Sequence, residues 1–301
     1  MGNPKGAFRI NGVPMQGAEM TTGNIFFVDS VTGSSGNSGL TIGSPLATID
    51  QAINKCTANK GDIIYVMPNH AETLGDNKTS LVPDVAGISI IGIGNGSDMP
   101  TITGSGTSSE IEISAANITF KNLRFEPGIS AVLVGIDVNA DYFTMEDCVM
   151  DYGTALFDWV DYVDISAVDY AVIRNNRFIA QAATAGANTG IQLVDANYVT
   201  IEGNTFIGDF AEAPIWNITT ACVGIMILHN FIYNDDTANA DNGISLQAAC
   251  TGLIAYNSIC ALYATNCATL IDPGSCGLIQ NYVTNKADHY AIATAVGAAA
   301  T

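Results

Sequence analysis

The chain carries little charge, and very little of that charge is positive. Lysine and arginine together number 10, against 29 aspartates and glutamates, which gives a formal net charge of −19. Charged residues of both signs make up only 13% of the sequence. An electrostatic field of this sign repels nucleic acid and anionic membrane surfaces, so we expect neither as a partner.

Long uninterrupted apolar runs are also missing. Residues 242–271 contain no charged side chain, but polar residues interrupt this stretch every few positions. It is therefore unlike a membrane span. The opening segment MGNPKGAFRINGV lacks the apolar core of a secretory signal, so we expect a chain that folds in a reducing cytoplasm.

Neither cysteine nor histidine forms a recognisable site pattern. The seven cysteines include no CxxC pair, and Cys222, Cys250 and Cys276 recur at intervals of 28 and 26 residues. An odd number of cysteines favours free thiols over a disulfide framework, and the regular spacing favours stacked, inward-facing side chains. The three histidines show no metal-ligand spacing, so we expect no metal and no cofactor.

An internal repeat is the strongest positive feature. The segment DYAVIRNNRF, residues 169–178, recurs as NYVTIEGNTF, residues 197–206, and five weaker copies share its alternating strand followed by a polar bend. The equivalent bend residues lie 24 to 28 positions apart and are Leu123, Cys148, Asn176, Asn204, Asn230, Asn257 and Asn281. Self-similarity at this period is typical of a solenoid, in which each unit buries its inward face against the next.

A second short alternating segment lies in most intervals between bends. These segments are GIDV (135–138), YVDI (162–165), GIQL (190–193) and GISL (243–246). Alternation of period two indicates half-buried strands, and no segment of helical period separates them. Each unit therefore contains at least two short strands that pair in parallel with those of the next unit.

Asparagine occupies five successive bends, from Asn176 to Asn281. Asparagine tolerates the left-handed backbone conformation of a sharp bend. In stacked coils its side-chain amide also bonds to its copies above and below, as in the asparagine ladders of stacked sheets. We predict such a ladder; the alternative is that these asparagines only mark turns.

The segment before the repeats has its own order. The strand IFFVD is followed by a Gly/Ser loop, and Ser44-Pro45 then predicts a capped helix over about residues 45–58. The pair Gly61-Asp62 introduces the next strand, IIYVM. Residues 1–23 show no periodicity and are interpreted as an arm outside the stack.

The order of strand, "SPxxTIxxA" helix and "GDxIxV" strand, followed by the repeats, resembles the pectin-lyase-like superfamily. The resemblance implies an all-β fold: a single-stranded, right-handed parallel β-helix solenoid with a short N-terminal capping helix. The expected organisation is an arm over 1–23, the capped β-helix over 24–290, and a C-terminal tail over 291–301. No amphipathic helix is evident that would close the C-terminal end, so we expect a partner chain to cover it.

Many relatives bind or cut polysaccharides, and hydrolases among them use two or three facing carboxylates. The candidates in this chain are Asp235, Asp236, Asp209 and Glu212, together with the series Asp158, Asp161, Asp164 and Asp169. Asn234-Asp235-Asp236 faintly resembles the motifs of polygalacturonases, but the Gly-His-Gly motif that follows in that family is missing. The alternative is that all are solvated acids on loops. A lyase acting on a polyanion fits a chain of charge −19 poorly.

The segment SPLATIDQAINKCTANKGDIIYVMPNHAETL, residues 44–74, also resembles the start of phage β-helix proteins, and that resemblance implies a different function. We expect a non-enzymatic virion structural protein, a capsid decoration or head-fibre protein, that is attached to the major capsid or another virion protein by the arm. A homotrimer on the virion surface, assembled in the host cytoplasm, is the expected state. The alternative is a protein that binds or degrades a host surface polysaccharide as a lyase or hydrolase, either as a tail spike or as an extracellular protein.

Overall fold

The computed structural model describes residues 8–10, 13–15, 21–153, 157–181, 187–217, 219–236, 243–264, 267–285 and 294–296. Nearly all regular structure in these residues is β, arranged as three long sheets that run along a solenoid. Within the stacked coils, all neighbouring strands pair in parallel. The predicted fold class, an all-β parallel β-helix, is confirmed.

The strands of each sheet succeed one another once per coil. Sheet 1 comprises Ile25–Val28, Ile63–Val66, Ser89–Gly92, Thr119–Lys121, Thr144–Glu146, Val172–Arg174, Thr200–Glu202, Ile225–Leu228, Gly252–Ala255 and Gly277–Ile279. Sheet 2 comprises Ala71–Leu74, Thr101–Gly104, Arg124–Pro127, Val149–Met150, Arg177–Ile179, Thr205–Gly208, Phe231–Asn234, Ser258–Ala261, Asn281–Thr284 and Thr294–Val296. Sheet 3 comprises Ile111–Ile113, Val132–Val138, Trp159–Ser166, Ala187–Val194, Phe210–Asn217, Ile244–Ser245 and Ile271–Asp272.

A regular coil runs from sheet 1 through the asparagine bend to sheet 2, then to sheet 3 and on to the next coil. The register can place a residue of one coil directly over a residue of the same type in the next coil. Phe178 pairs with Phe206 in sheet 2, and their buried rings stack with centroids 4.7 Å apart. The predicted segments 135–138, 162–165 and 190–193 lie within strands of sheet 3. Stacking identical apolar positions therefore builds one continuous core through the coils.

The five asparagines form a hydrogen-bonded column at the corner between sheets 1 and 2. At the level of Asn204, its side-chain Oδ1 accepts from the backbone N–H of Asn176 at 2.9 Å and from the Asn176 side-chain amide at 3.1 Å. Its Nδ2 donates to the Ile173 carbonyl at 2.8 Å and to Asn230 Oδ1 at 3.1 Å. The same pattern continues to Asn257 and Asn281. Each amide thus satisfies buried backbone groups of the neighbouring coil.

The left-handed backbone lies one residue before each ladder asparagine, so placing it on the asparagines themselves was wrong. The residues with positive φ at this corner are Asn122, Asp147, Asn175, Gly203, His229, Tyr256 and Gln280. They form an outward-facing column, which we call the bend column. The ladder asparagines are retained for their hydrogen bonds, because a buried amide of this geometry replaces water for two backbone groups at once.

The helix is shorter than expected and begins later. It spans Ile49–Ile53, and its N-cap is Thr48, whose side chain accepts a hydrogen bond from the Gln51 N–H. Leu46 is extended instead of helical, because its backbone bonds to Phe27 and Asp29 of the first strand. Pairing with that strand therefore outweighs the helix-start signal at Ser44-Pro45. Ile49 and Ile53 are fully buried against the first coil.

The two ends of the chain contain structure that the sequence analysis did not predict. Within the arm, Phe8–Ile10 and Val13–Met15 form a separate antiparallel hairpin. At the other end, Thr294–Val296 pairs antiparallel with Asn281–Thr284. The end of sheet 2 is therefore covered by the chain's own tail segment, and cover of this end of the stack by a partner chain stays a prediction. The remaining residues of the tail lie outside the described residues.

All seven cysteines are free thiols. Cys222, Cys250 and Cys276 stack in successive coils as predicted, and the Cys222 N–H lies 3.3 Å from Cys250 Sγ. Burial raises the pKa of Cys148 to about 12 and the pKa of Cys222 and Cys276 to about 11. Because the thiolate is the reactive form, these thiols should be inert while the protein is folded.

We predict that Asn204→Leu destabilises the fold by about 2–4 kcal/mol. The change leaves the buried Asn176 N–H and Ile173 carbonyl without the hydrogen bonds that the Asn204 side chain makes to them. Urea unfolding monitored by circular dichroism measures the change. Thr200→Leu is the control: Thr200 is half-buried and pairs with Val172 and Met226, so an apolar side chain is tolerated there. A loss for Asn204→Leu no larger than for the control would contradict a stabilising ladder.

We also predict slow native alkylation of the buried cysteines. At pH 8, iodoacetamide should label Cys148, Cys222 and Cys276 far more slowly in the folded protein than in urea, as read out by mass spectrometry of peptides. Equal rates in the two states would contradict the buried stack, and two or more native disulfides would contradict free thiols.

Candidate functional site

The four acids predicted as a catalytic group do not form one open cluster. Asp209, Asp235 and Asp236 lie at the corner between sheets 2 and 3, where Asp209 and Asp236 are each only 4% exposed. The Asp235 N–H bonds to the Gly208 carbonyl, and the Asp236 N–H bonds to Asn234 Oδ1. Glu212 is exposed on sheet 3 and belongs to a different group of carboxylates. A buried carboxylate is poorly placed to meet a polysaccharide.

The acids of the series Asp158, Asp161, Asp164 and Asp169 also lie at different places in the fold. Asp158 is buried below the same corner, where it accepts from the Gln181 N–H at 3.0 Å. Burial raises its pKa to about 6, against the lowering effect of its hydrogen bonds, and the Asp209 charge adds to the rise. Asp169 lies at the turn before sheet 1 and bonds to Asn197. Only Asp161 and Asp164 project from sheet 3.

The outer surface of sheet 3 carries the carboxylates that are the strongest candidates for a catalytic role. Asp137 and Asp164 are register neighbours on adjacent coils, which places their backbones about 4.8 Å apart. Asp161 lies on the same strand as Asp164, and both Asp164 and Glu212 raise the pKa of Asp161. This cluster, Asp137, Asp161, Asp164 and Glu212, is here called the sheet 3 cluster.

Burial is the main cause of the raised pKa of Asp161, which reaches about 6. Thr189 donates its hydroxyl to Asp161 Oδ1 at 2.9 Å and opposes the rise. Burial also raises the pKa of Asp164, with a further contribution from the Asp137 charge. A carboxyl whose pKa is raised toward neutrality is the kind of group that a general acid in glycoside hydrolysis requires.

The sheet 3 cluster has one aromatic side chain near it in the register. Trp216 is half-buried and pairs with Gln192, which in turn pairs with Asp164. An indole and an amide beside carboxylates give a surface that offers both apolar and hydrogen-bonding contacts. Trp159, the other tryptophan, is buried in the core and takes no part in this surface.

A second polar site lies on sheet 1 and was missed by the sequence analysis. Lys121, Glu146, Arg174 and Glu202 follow one another in register on its outer face. Lys121 Nζ lies 2.5 Å from Glu146 Oε1, and Arg174 Nε lies 2.6 Å from Glu146 Oε2. The signal was available in the sequence, because Glu146, Arg174 and Glu202 recur at the repeat interval of 28 residues.

Glu146 is held in its ionised form by these partners. Although burial raises the pKa of its carboxyl, hydrogen bonds from Lys121 and Arg174 outweigh that effect and lower the pKa below its usual value. A carboxylate of this kind is unsuited to donate a proton, and its partner Arg174 is not free to act as a base. The column therefore binds neighbouring coils together and presents fixed charges to the groove beside it.

That groove has a volume of about 470 Å³. It is lined by Glu146, Arg174, Asn175, Glu202, Gly203 and His229. Three of these, Asn175, Gly203 and His229, belong to the bend column. The groove is thus a polar surface feature at the corner between sheets 1 and 2, on a different face from the sheet 3 cluster.

No group of three or more potential metal ligands was found among the residues that the structure describes. None of the helices in the described ranges has the length and apolar character that a membrane crossing needs.

Comparison with known proteins supports the fold. No protein-family profile and no curated protein sequence matches the chain. A solved rhamnogalacturonan lyase is similar in structure, with a TM-score of 0.50 and 12% identity over 87% of this chain and 74% of that chain. A solved GH136 lacto-N-biosidase from Eubacterium ramulus aligns over 87% of this chain and 68% of the lacto-N-biosidase chain, with 11% identity and a TM-score of 0.34. The first likeness supports the parallel β-helix fold.

We predict that Asp161→Asn stabilises the protein at neutral pH. A carboxyl whose pKa rises on folding, here from 3.8 to about 6, costs stability when it ionises above the folded pKa, and this cost vanishes as the pH falls toward 3.8. The melting temperature of the variant should exceed that of the parent at pH 7.5, and the difference should shrink toward pH 4.

Asp29→Asn is the control of opposite sign. Burial raises the pKa of Asp29, but hydrogen bonds from Thr32 and Val31 outweigh it and lower the pKa overall. Its replacement should lower the melting temperature at pH 7.5. A pH-independent effect of Asp161→Asn would contradict a raised pKa.

Proposed function

We propose that this chain is a non-enzymatic structural protein of a phage virion surface, a capsid decoration or head-fibre protein attached through residues 1–23. The observation that carries the proposal is how the polar side chains are used. Asn176 to Asn281, the ion pairs of Glu146, and the stacked rings of Tyr142, Tyr170 and Tyr198 all connect one coil to the next. Side chains committed in this way make a rigid rod, which suits a scaffold.

The surface of the C-terminal coils supports self-association within this proposal. In the outer column of sheet 1 that begins with Lys121, charged residues continue to Glu202 and are then replaced by Leu228, Ala255 and Ile279. Large apolar side chains are exposed on sheets 1 and 2 of these coils, namely Met226, Phe231, Ile279 and Tyr282. An exposed apolar surface of this kind marks an interaction site, and three copies of a chain of charge −19 approach each other most easily there.

By analogy with phage β-helix proteins we expect a homotrimer in solution, with a dimer as the alternative, and sedimentation of the isolated chain measures it. The double variant Phe231→Glu, Tyr282→Glu should sediment as a monomer, because it puts charge into the apolar surface. Val31→Glu is the control, since Val31 is 81% exposed in the first loop and its variant should remain trimeric. A parent chain that is monomeric at micromolar concentration would refute the trimer.

Attachment is tested separately. Deleting residues 1–23 should abolish binding to the source particle, seen by negative-stain imaging with an antibody, while circular dichroism shows that the β-helix is retained. The Val31→Glu variant should bind as the parent does. Retained attachment of the deleted chain would show that residues 1–23 are not the anchor.

A second candidate function, binding or degradation of a host surface polysaccharide, is favoured by the sheet 3 cluster. Asp161 with its raised pKa and exposed Glu212 supply the two kinds of carboxylate that hydrolysis needs. If the chain degrades polysaccharide, Asp161→Asn should abolish release of reducing ends, and the double change Asp235→Asn, Asp236→Asn should retain it. Loss of activity in the second variant alone would instead identify Asp235 and Asp236, the acids predicted from sequence, as the catalytic pair.

A further inference from the structure

The bend column contains one position without a side chain. Its members Asn175, Gly203 and His229 lie on three successive coils and share the same left-handed backbone conformation. Gly203 is the single glycine of the column, whose other members are Asn122, Asp147, Tyr256 and Gln280. A side chain is therefore missing between Asn175 and His229, and the groove of about 470 Å³ lies at this gap.

The lower wall of the gap is the ring of His229. One face of its imidazole stacks on Tyr256, with centroids 5.0 Å apart and planes inclined by only 8°. Tyr256 lies one coil after His229 and Gly203 lies one coil before it. The imidazole face opposite Tyr256 is therefore turned to the gap. His229 and Tyr256 are both exposed, so this face is available to a ligand.

The height of the gap suits one ring. Successive coils are about 4.8 Å apart, so the levels of Asn175 and His229 are separated by about 9–10 Å. Van der Waals contact needs about 3.5–4.0 Å between carbon atoms, so one ring can lie on the imidazole below the level of Asn175. A Cβ atom on Gly203 would lie 2.6 Å from Asn175 Oδ1, so the amide oxygen of Asn175 leans into the gap.

The rim of the gap is rich in hydrogen-bond acceptors. Glu202 precedes Gly203 and lines the groove with its carboxylate, and Asn175 contributes its amide oxygen. Arg174 is anchored to Glu146 through Nε, which keeps a guanidinium beside the groove. A ligand that fits must combine one apolar face for the imidazole with several hydroxyl donors along its edge for Glu202 and Asn175.

We propose that this gap binds one neutral pyranose ring of a glycan, with an apolar C–H face against His229 and hydroxyls directed to Glu202, Asn175 and Arg174. An acidic sugar is disfavoured, because Lys121 and Arg174 both pair with Glu146, and the Glu202 carboxylate in the groove would repel it. A flat aromatic ligand would leave those acceptors without donors. The site lies on a different face from the sheet 3 cluster and goes beyond the scaffold function, because it does not depend on attachment to a particle.

The test uses the full chain and a set of methyl glycosides: glucoside, galactoside, mannoside, rhamnoside and N-acetylglucosaminide, with sodium galacturonate and phenol as comparisons. Saturation-transfer NMR should show binding of at least one neutral glycoside, and the ring protons of His229 should shift in the same titration. Absence of transfer from every neutral glycoside, or transfer only to galacturonate or phenol, would overturn the proposal.

Two variants test the position of the ligand. Gly203→Asn fills the gap with the residue that the column already accepts at Asn122 and Asn175, and His229→Gln removes the ring and supplies the residue found at Gln280. Each should weaken glycoside binding at least tenfold. The melting temperature should stay close to that of the parent for His229→Gln, and should fall slightly for Gly203→Asn, because its Cβ displaces the Asn175 side chain.

Gln280→Asn is the matched control, because it changes the same column outside the groove and should bind as the parent does. Val31→Glu should also leave this binding unchanged, because Val31 lies in the first loop and does not line the groove. Binding that survives Gly203→Asn, or that is lost equally in Gln280→Asn, would overturn the assignment to this gap.

Discussion

The parallel stacking of coils about 4.8 Å apart is the constraint from which the rest of the structure follows. Every position of the repeat lies directly over its own equivalent, so a side chain must be compatible with the residue above and the residue below. Asparagine meets this requirement at the buried corner because one amide both donates and accepts along the axis. Phenylalanine meets it in the core by ring stacking, as Phe178 and Phe206 do.

The same constraint governs the outer surface. Like charges in register would repel at this spacing, and the column on sheet 1 places Arg174 between Glu146 and Glu202, with Lys121 on the far side of Glu146. Where tyrosines succeed one another, at Tyr142, Tyr170 and Tyr198, their rings stack at 5.0 Å even though each has a positive φ. Stacking over three coils offsets a backbone conformation that bulky residues rarely adopt.

The candidate functional features of this rod lie where a column departs from the pattern of matching residues on successive coils. After Glu202, apolar residues take the place of charged ones in the outer column of sheet 1, and glycine at position 203 interrupts an otherwise complete column beside an exposed imidazole. On sheet 3 the rule is broken in another way, because Asp137 and Asp164 are neighbours of like charge, and burial together with that repulsion raises the pKa of Asp164. These departures mark the candidate positions for binding or chemistry.

The sequence by itself determined the β-helix, its coil boundaries and the asparagine column, because these depend on local alternation and a repeat that can be counted along the chain. It also contained two signals that were passed over: the interval of 28 residues joining Glu146, Arg174 and Glu202, and the hairpin-favouring Asn11-Gly12 pair between the strands Phe8–Ile10 and Val13–Met15. Only the tertiary structure decided that Leu46 joins a strand, that Asp209 and Asp236 are buried while Glu212 is exposed, and that the left-handed residue precedes each ladder asparagine. Burial and the phase of a bend depend on how coils pack against one another, and that packing is absent from any single repeat.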